Sequence, residues 1–540
     1  MKKSKKVTAL LTVLLICLTL IAACGGTSGG NSGGNTTPAE PVERPVTAPI
    51  EVPAPPEPIE NVRYADEINL ITDGLNVTTL NPLAQGGPAP FVMSSYNLMY
   101  DRLVYPLGNG EYAPYLASEW ETEDYKTFIF KLREDVYFHN GEKFTANDVI
   151  FTINSAKANL ASQASGVWGF VEEATAINDY TLQVVLDAVN VEFLYYVGRP
   201  DAGICNEKAV TEDPEKGAWI GTGAYRLTEF VASNYWVFER NDEYWGDPPV
   251  TRKVTMRHIP EASARTIMMQ NGESQICFGI PTVDQELFEN NPDYVFLHHM
   301  INNPNPLLFN MSDPLCSDYN FRMAIGSALN RAEIAAVLSK YTIPASDGGV
   351  YGYEQEFRNT EIPMVPEDLE AAKRYLEASP YQGEEVEITV TPTFIRTVEV
   401  LQQQFLRAGI NTRINQVEGT AVNSLTTWGN NKSQLMFLGL QLYTNGSTLR
   451  NILYPRTTSN RMSYDNPEVT ELFDRAAAEL DYETRKEMYM EIQRLVAADP
   501  PWFNINFSQK IIVGAKGIGG FGLPADTFYD LRYMYLQLDD

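Results

Sequence analysis

Residues 386–417 read VEITVTPTFIRTVEVLQQQFLRAGINTRINQV, and the fold class turns on this stretch. Val386, Ile388 and Val390 alternate with polar residues, which is the period of a half-buried strand. Val398, Leu401, Phe405 and Leu406 then share one face at helical spacing, and Gly409 supplies a residue that stops a helix. Ile410 to Val417 returns to strand character. A strand–helix–strand of this length predicts parallel strands joined by a right-handed crossover. The chain is therefore read as α/β, which excludes a β-sandwich and a helical bundle.

Outward from that unit, further strands are predicted at Glu67–Thr72, Phe128–Leu132, Thr181–Leu186 and Tyr235–Arg240, with Gly, Asn and Asp turns between them. On the C-terminal side, Pro467 opens a helix carrying Val469, Leu472, Phe473 and Ala476, and Met488, Ile492 and Leu495 mark another. At 540 residues the chain exceeds one ordinary core, so two or three domains are expected. No internal repeat is visible.

The first residues carry a targeting pattern. Lys2, Lys3, Lys5 and Lys6 precede an uncharged apolar run, Val7 to Leu20, that is short for a membrane span and has signal-peptide proportions. Leu20-Ile21-Ala22-Ala23-Cys24-Gly25 follows. This segment resembles a bacterial lipobox, with Ile21 in the place usually held by Leu. The resemblance implies removal of residues 1–23 and acylation of Cys24. Residues 24–61 then read as a tether: Gly25 to Thr37 is rich in Gly and Ser, and Pro38 to Pro58 repeats proline and spans roughly 60 Å if extended. The 41 basic and 69 acidic residues give a net charge of −28, and loss of the four lysines takes it to −32. Such a surface repels nucleic-acid phosphates and anionic lipid headgroups, so no nucleic acid is expected and the membrane is met only through the lipid anchor.

Enzymatic chemistry finds no support. The four histidines, His139, His258, His298 and His299, fall in no HExxH pattern, and no G-x-S-x-G occurs. Adjacent His298 and His299 point to opposite faces of a strand and form no chelate by themselves. Beyond Cys17 and Cys24, the odd set Cys205, Cys277 and Cys316 has no CxxC spacing; it allows one disulfide or three isolated thiols. No catalytic residue, metal site or cofactor is expected.

Four segments in order then carry a family likeness. They are Asn109 to Trp120 (NGEYAPYLASEW); Thr127 to Arg133 with Val136 to Gly141 (VYFHNG) and Phe144 to Val149 (FTANDV); Gly221 to Tyr225 (GTGAY) with Arg240 to Gly246 (RNDEYWG); and Arg322 to Ile325 through Asn330-Arg331. With Leu80-Asn81-Pro82, these are similar to the motifs of the large solute-binding proteins of ABC importers, the dipeptide-, oligopeptide- and nickel-binding family. Read as residues, the motifs are structural: Asn140-Gly141 is a hairpin signal, Asp148 a helix cap, Gly221 and Gly223 a tight turn, and His139 a hydrogen-bonded turn histidine.

The resemblance implies a two-lobe periplasmic-binding-protein-like fold with a hinge and an extra domain, of the large peptide-binding type. Its plan places lobe I at 62–100, 219–280 and 503–540, the extra domain at 101–218, and lobe II at 281–502, with hinge crossings near Ile280-Pro281 and Trp502-Phe503. Ligand is held between the lobes. The family's peptide binders hold the ligand amine with an Asp in the loop that matches Gly439 to Arg450, yet this chain has no carboxylate between Met436 and Arg450. An unpaired buried ammonium is costly, so free dipeptides and tripeptides are expected to bind weakly. Candidate ligand contacts are Gln441, Tyr443, Asn445, Ser447 and Trp428, with Asn81, Gln85 and Trp168 behind them. Arg450 and Tyr196 are weaker candidates. The expected partners are a small organic ligand, peptide-like or oligosaccharide, and ABC permease subunits, with the protein a monomer on the outer face of the cytoplasmic membrane. A nickel chelate as ligand, or a sensor role, is the alternative.

Overall fold

The computed structural model describes residues 62–538, apart from 76, 85–89, 109, 160–161, 353–355, 419–420, 423–424, 427, 430, 441, 443–445, 447, 458 and 523–527. Its centre is a mixed sheet of eleven strands. In chain order these are β1 (Glu67–Thr72), β2 (Tyr225–Val231), β3 (Tyr235–Arg240), β4 (Lys253–His258), β5 (Ile276–Phe278), β6 (Tyr294–Phe309), β7 (Thr342–Pro344), β8 (Val386–Val390), β9 (Thr412–Gln416), β10 (Leu435–Phe437) and β11 (Trp502–Ala515). Across the sheet the order is β9-β8-β10-β6-β11-β5-β1-β4-β3-β2, with β7 beside β11.

The predicted strand–helix–strand is β8, the helix Ile395–Arg407 and β9, and β8 pairs β9 in parallel. Gly409 sits at φ +91°, where its lack of Cβ removes the left-handed penalty. The Ile410 amide bonds the Phe405 carbonyl and the Gly409 amide bonds the Leu406 carbonyl, the paired closure of a Schellman turn. Thr397, Val398, Leu401, Gln404 and Phe405 form the buried stripe. Leu406 does not belong to it: it is 56% exposed, because its helical angle places it beyond the stripe's edge.

Two long strands, β6 with 16 residues and β11 with 14, run antiparallel through the middle and belong to both halves of the sheet. Each half is packed on both faces. In the first half, Ile68, Leu70, Phe278 and Ile512 lie in one apolar cluster and Ile71, Cys277, Ile511 and Val513 in another. In the second, Leu307, Ile388, Phe405 and Phe503 lie on one side and Leu308, Met436, Ile492 and Trp502 on the other. Burial of each large aliphatic or phenyl side chain here contributes about 1.5–3 kcal/mol.

The change of core does not fall at Ile280-Pro281 and Trp502-Phe503. Ile280 and Phe288 pack with the first half, while Trp502 and Phe503 pack with the second. The halves meet where the β6–β11 register breaks between Met300 and Pro304, opposite Phe507 to Gln509. Continuous strands carry the sheet past the turns that the sequence suggested as boundaries.

Region 101–218 adds an antiparallel sheet ordered Ala117–Glu121, Thr127–Leu132, Thr181–Leu186, Val171–Asn178. Its helix Ala146–Ala158 opens with a capping box between Thr145 and Asp148. Cys205, Cys277 and Cys316 are separate buried thiols. No helix among the described residues is long and apolar enough to cross a membrane.

Candidate functional site

The family-like motifs gather at one junction. The Gly223 amide bonds the carbonyl of Met99, at the end of the helix Pro90–Met99, at 2.9 Å. A Cβ on Gly223 would come within 2.5 Å of the Leu98 carbonyl oxygen and the Met99 backbone, so only glycine allows this approach. His139 accepts from the Gly221 amide at Nδ1 (3.2 Å) and donates from Nε2 to the Gly223 carbonyl (2.9 Å), an assignment that follows from these partners. Burial pushes its pKa down to about 4, so it is neutral and holds a turn. Asp101 accepts from Thr222, Tyr244 and Trp245, with Trp245 Nε1 at 2.7 Å. Burial raises Asp101, opposed by the Arg532 guanidinium and these donors. Arg532 is buried, pairs with Asp530 and donates to Tyr115. This junction is scaffold, as the residue-level reading expected.

A second place has different geometry. β5 runs parallel to β1 and antiparallel to β11, and the end of β5, Phe278, lies opposite Ile512. The C-terminal ends of β1 and β5 therefore point along β11 toward lower numbers, into the second half. β10 runs antiparallel to β6, and its last residue, Phe437, lies opposite Leu307. The C-terminal ends of β10 and of β8, its parallel neighbour, therefore point along β6 toward the first half. The two half-sheets aim the C-terminal ends of their parallel strands at each other across the break. In open α/β sheets, ligands sit outside such ends.

The loops leaving those ends are held in place. Arg265, 4% exposed, bonds the Gly279 carbonyl after β5 (2.9 Å) and the Ile259 carbonyl after β4 (2.7 Å), and pairs with Asp73 after β1 (3.1 Å). One guanidinium thus ties three strand-end loops together. From the second half, the Leu440 amide bonds the Pro304 carbonyl at 2.9 Å, so the loop beginning at Gly439 starts beside the break. Phe394, after β8, stands edge-on to Phe437 with centroids 5.5 Å apart. On β11, β5 pairs with Ile512–Gly514 and β7 with Asn506–Ser508. Gln509, Lys510 and Ile511 lie between, with β6 as their one strand neighbour. Solvent reaches the Lys510 side chain, yet the protein crowding around it holds the ammonium below the ordinary lysine range, opposed by Asp73.

Of the sequence candidates, Gln85, Gln441, Tyr443, Asn445 and Ser447 lie outside the described residues. Trp428 is half-buried in the turn before β10, where the neighbouring Gly429 approaches Ser463, at the end of β10 away from the break. Trp168 is a correction: it is fully buried and packs edge-on to Phe193 in the core that region 101–218 shares, so it presents no surface to a ligand. Asn81 is a turn residue, accepting from the Leu83 amide and donating to the Pro214 carbonyl. Arg450 pairs with Asp474 at 3.0 Å and lies over the Tyr454 ring, and Tyr196 packs against Phe170. Arg265, Asp73 and Lys510 were missed. The one available signal was the polar run Ser508-Gln509-Lys510, which breaks the alternation of Phe503, Ile505 and Phe507 before the apolar Ile511-Ile512-Val513 resumes.

The model for bacterial extracellular solute-binding proteins, family 5, matches residues 111–463, and the chain belongs to that family. Its members bind solutes and are not enzymes. The chain is 28% identical over 308 residues to the nickel-binding periplasmic protein of Escherichia coli, an alignment that covers 54% of this chain and 55% of that protein. It is 22% identical over 498 residues to the glutathione-binding protein GsiB of the same organism, covering 88% and 95%. In fold it matches NikA from Brucella suis in complex with Fe(III)-EDTA at TM-score 0.78 and 20% identity, over 87% of this chain and 99% of that one. It matches DppA from Helicobacter pylori in complex with the peptide STSA at TM-score 0.76 and 21% identity, over 88% and 99%.

Proposed function

We propose that this protein captures a small organic solute at the break between the half-sheets and delivers it to an ABC import permease. The supporting observation is the convergence of C-terminal strand ends from two independently packed halves on the two strands that join them. In this reading 62–100, 219–280 and 503–540 form most of one lobe, 281–502 most of the other, and 101–218 the extra domain. The hinge moves to Met300–Pro304 and Phe507–Lys510. Ligand favours the closed state by touching both halves, and the permease recognises that state. The loop with Gln441, Tyr443, Asn445 and Ser447 supplies neutral polar contacts. The protein is a monomer held at Cys24 by lipid on the outer face of the cytoplasmic membrane.

Native mass spectrometry of protein purified from its own host tests the central claim: a stoichiometric small solute is expected, released on unfolding. Its absence, together with no binding from a panel of peptides and oligosaccharides, overturns it. Cys24→Ala is expected to abolish incorporation of labelled fatty acid, and persistent label overturns the anchor.

A further inference from the structure

We infer that Lys510 is a specificity residue of the cleft, pairing with an anionic group, a carboxylate or other oxyanion, on the captured solute. The inference rests on the binding reading above and names the chemistry of its ligand. Three observations carry it.

The first is position. Lys510 lies opposite His299, in the stretch where the neighbour of β11 on one edge changes from β5 to β7. That change marks the border of the two halves, and the strand ends of both aim at it. By strand alternation Lys510 shares the face of Ile512. Ile512 packs with Phe278 and Phe91, so Lys510 extends that face beyond the end of the first core into the break.

The second is charge. Asp73 is the acid that acts on Lys510, and it is already engaged by Arg265 at 3.1 Å. The Lys510 ammonium makes no hydrogen bond or ion pair among the described residues. Asp73 is thus the one acid facing two cations, Arg265 and Lys510. An ammonium on a crowded wall is poorly hydrated, and closure around a ligand hydrates it less. A neutral or cationic solute would leave it unpaired, whereas an oxyanion pairs with it as water leaves.

The third is composition. The stretch from Gly439 to Leu449, whose Leu440 amide is bonded to the Pro304 carbonyl beside the break, contains no carboxylate in its sequence.

The test uses full-length protein with Lys510→Gln and Lys510→Arg. Calorimetry compares N-acetyl-Ala-Ala-Ala with its C-terminal amide, a pair that differs only in the carboxylate and carries no ammonium. Wild type is expected to prefer the acid at least about tenfold, Lys510→Gln to lose the preference, and Lys510→Arg to keep it. Equal binding of acid and amide by wild type, or a preference that survives in Lys510→Gln, overturns the assignment and leaves the solute-binding reading standing. If neither peptide binds, the decision passes to the solute that co-purifies from the host. An anionic solute lost from Lys510→Gln and retained by Lys510→Arg supports the assignment; a neutral solute, or one retained by Lys510→Gln, overturns it. No co-purified solute and no peptide binding overturns both readings.

Discussion

Around Gly223 the polar side chains of Asp101, His139, Thr222, Tyr244, Trp245 and Arg532 are bonded to one another, to neighbouring acids and phenols, or to backbone carbonyls and amides. Around Lys510, a few strands away on the same sheet, an ammonium stands on a crowded wall with its nearby acid already taken. The first place is dense in family-like motifs and the second has none. Residues that identify the family are those that build the scaffold, because the scaffold is shared. A residue that selects a solute has to keep a group unmatched by the scaffold, as the Lys510 ammonium does. Stability and binding should therefore separate cleanly between these two places.

Arg532→Met puts that separation under the heaviest load. It removes one of the two guanidiniums beside buried Asp530, leaving Arg102, and it also takes from buried Asp101 the cation that opposes its desolvation; breaking a buried pair costs up to about 3–5 kcal/mol. Urea denaturation should show that loss, while the acid-over-amide preference of the folded protein stays unchanged. A loss below about 1 kcal/mol would mean that the junction is not what holds this half together.

His139→Gln sharpens the comparison through pH. The folded protein binds this proton near pH 4 and the unfolded chain near 6.5. Between those values the unfolded state holds more protons, so the contribution of His139 is intact above pH 6.5 and is lost as pH falls toward 4. Wild type should lose up to about 3 kcal/mol relative to the variant over that window. Parallel stability–pH curves for the two proteins would refute the neutral, buried assignment.

Gly223→Ala forces a methyl group against the Leu98 and Met99 backbone, which has no flexible end to yield. Overpacking of this kind costs about 1–3 kcal/mol, readable as a lower thermal midpoint. An unchanged midpoint would show that the helix end can retreat. Lys510→Gln, at the other place, should change ligand-free stability by no more than about 0.5 kcal/mol while acting on binding. A large destabilisation would make Lys510 part of the scaffold and erase the contrast.

Much of the fold was legible because its signals are local. The alternation in Val386–Val390, the helical stripe through Val398, Leu401 and Phe405, and the stop at Gly409 depend on neighbours within a few residues. Leu406 was misread because a sequence shows which side chains are apolar but not how wide a stripe the neighbouring sheet covers. Trp168 was misread because a tryptophan buried against Phe193 and one lining a cleft look the same until packing is known. The sequence reading set the crossings near Ile280-Pro281 and Trp502-Phe503, whereas the apolar clusters change further on, along β6 and β11.

The sequence by itself determined the α/β class, the parallel crossover, the structural character of His139 and Gly223, and the family, since each rests on short-range periodicity or on motifs that lie contiguous in the chain. Only the tertiary structure decided where the halves meet and which residues stand there. Asp73, Arg265, Gly279, Pro304, Leu440 and Lys510 come from distant parts of the chain and are brought together by strand order and register. The charge left over at Lys510 depends on which neighbours Asp73 and Arg265 have already satisfied, and that pairing exists only once the chain has folded.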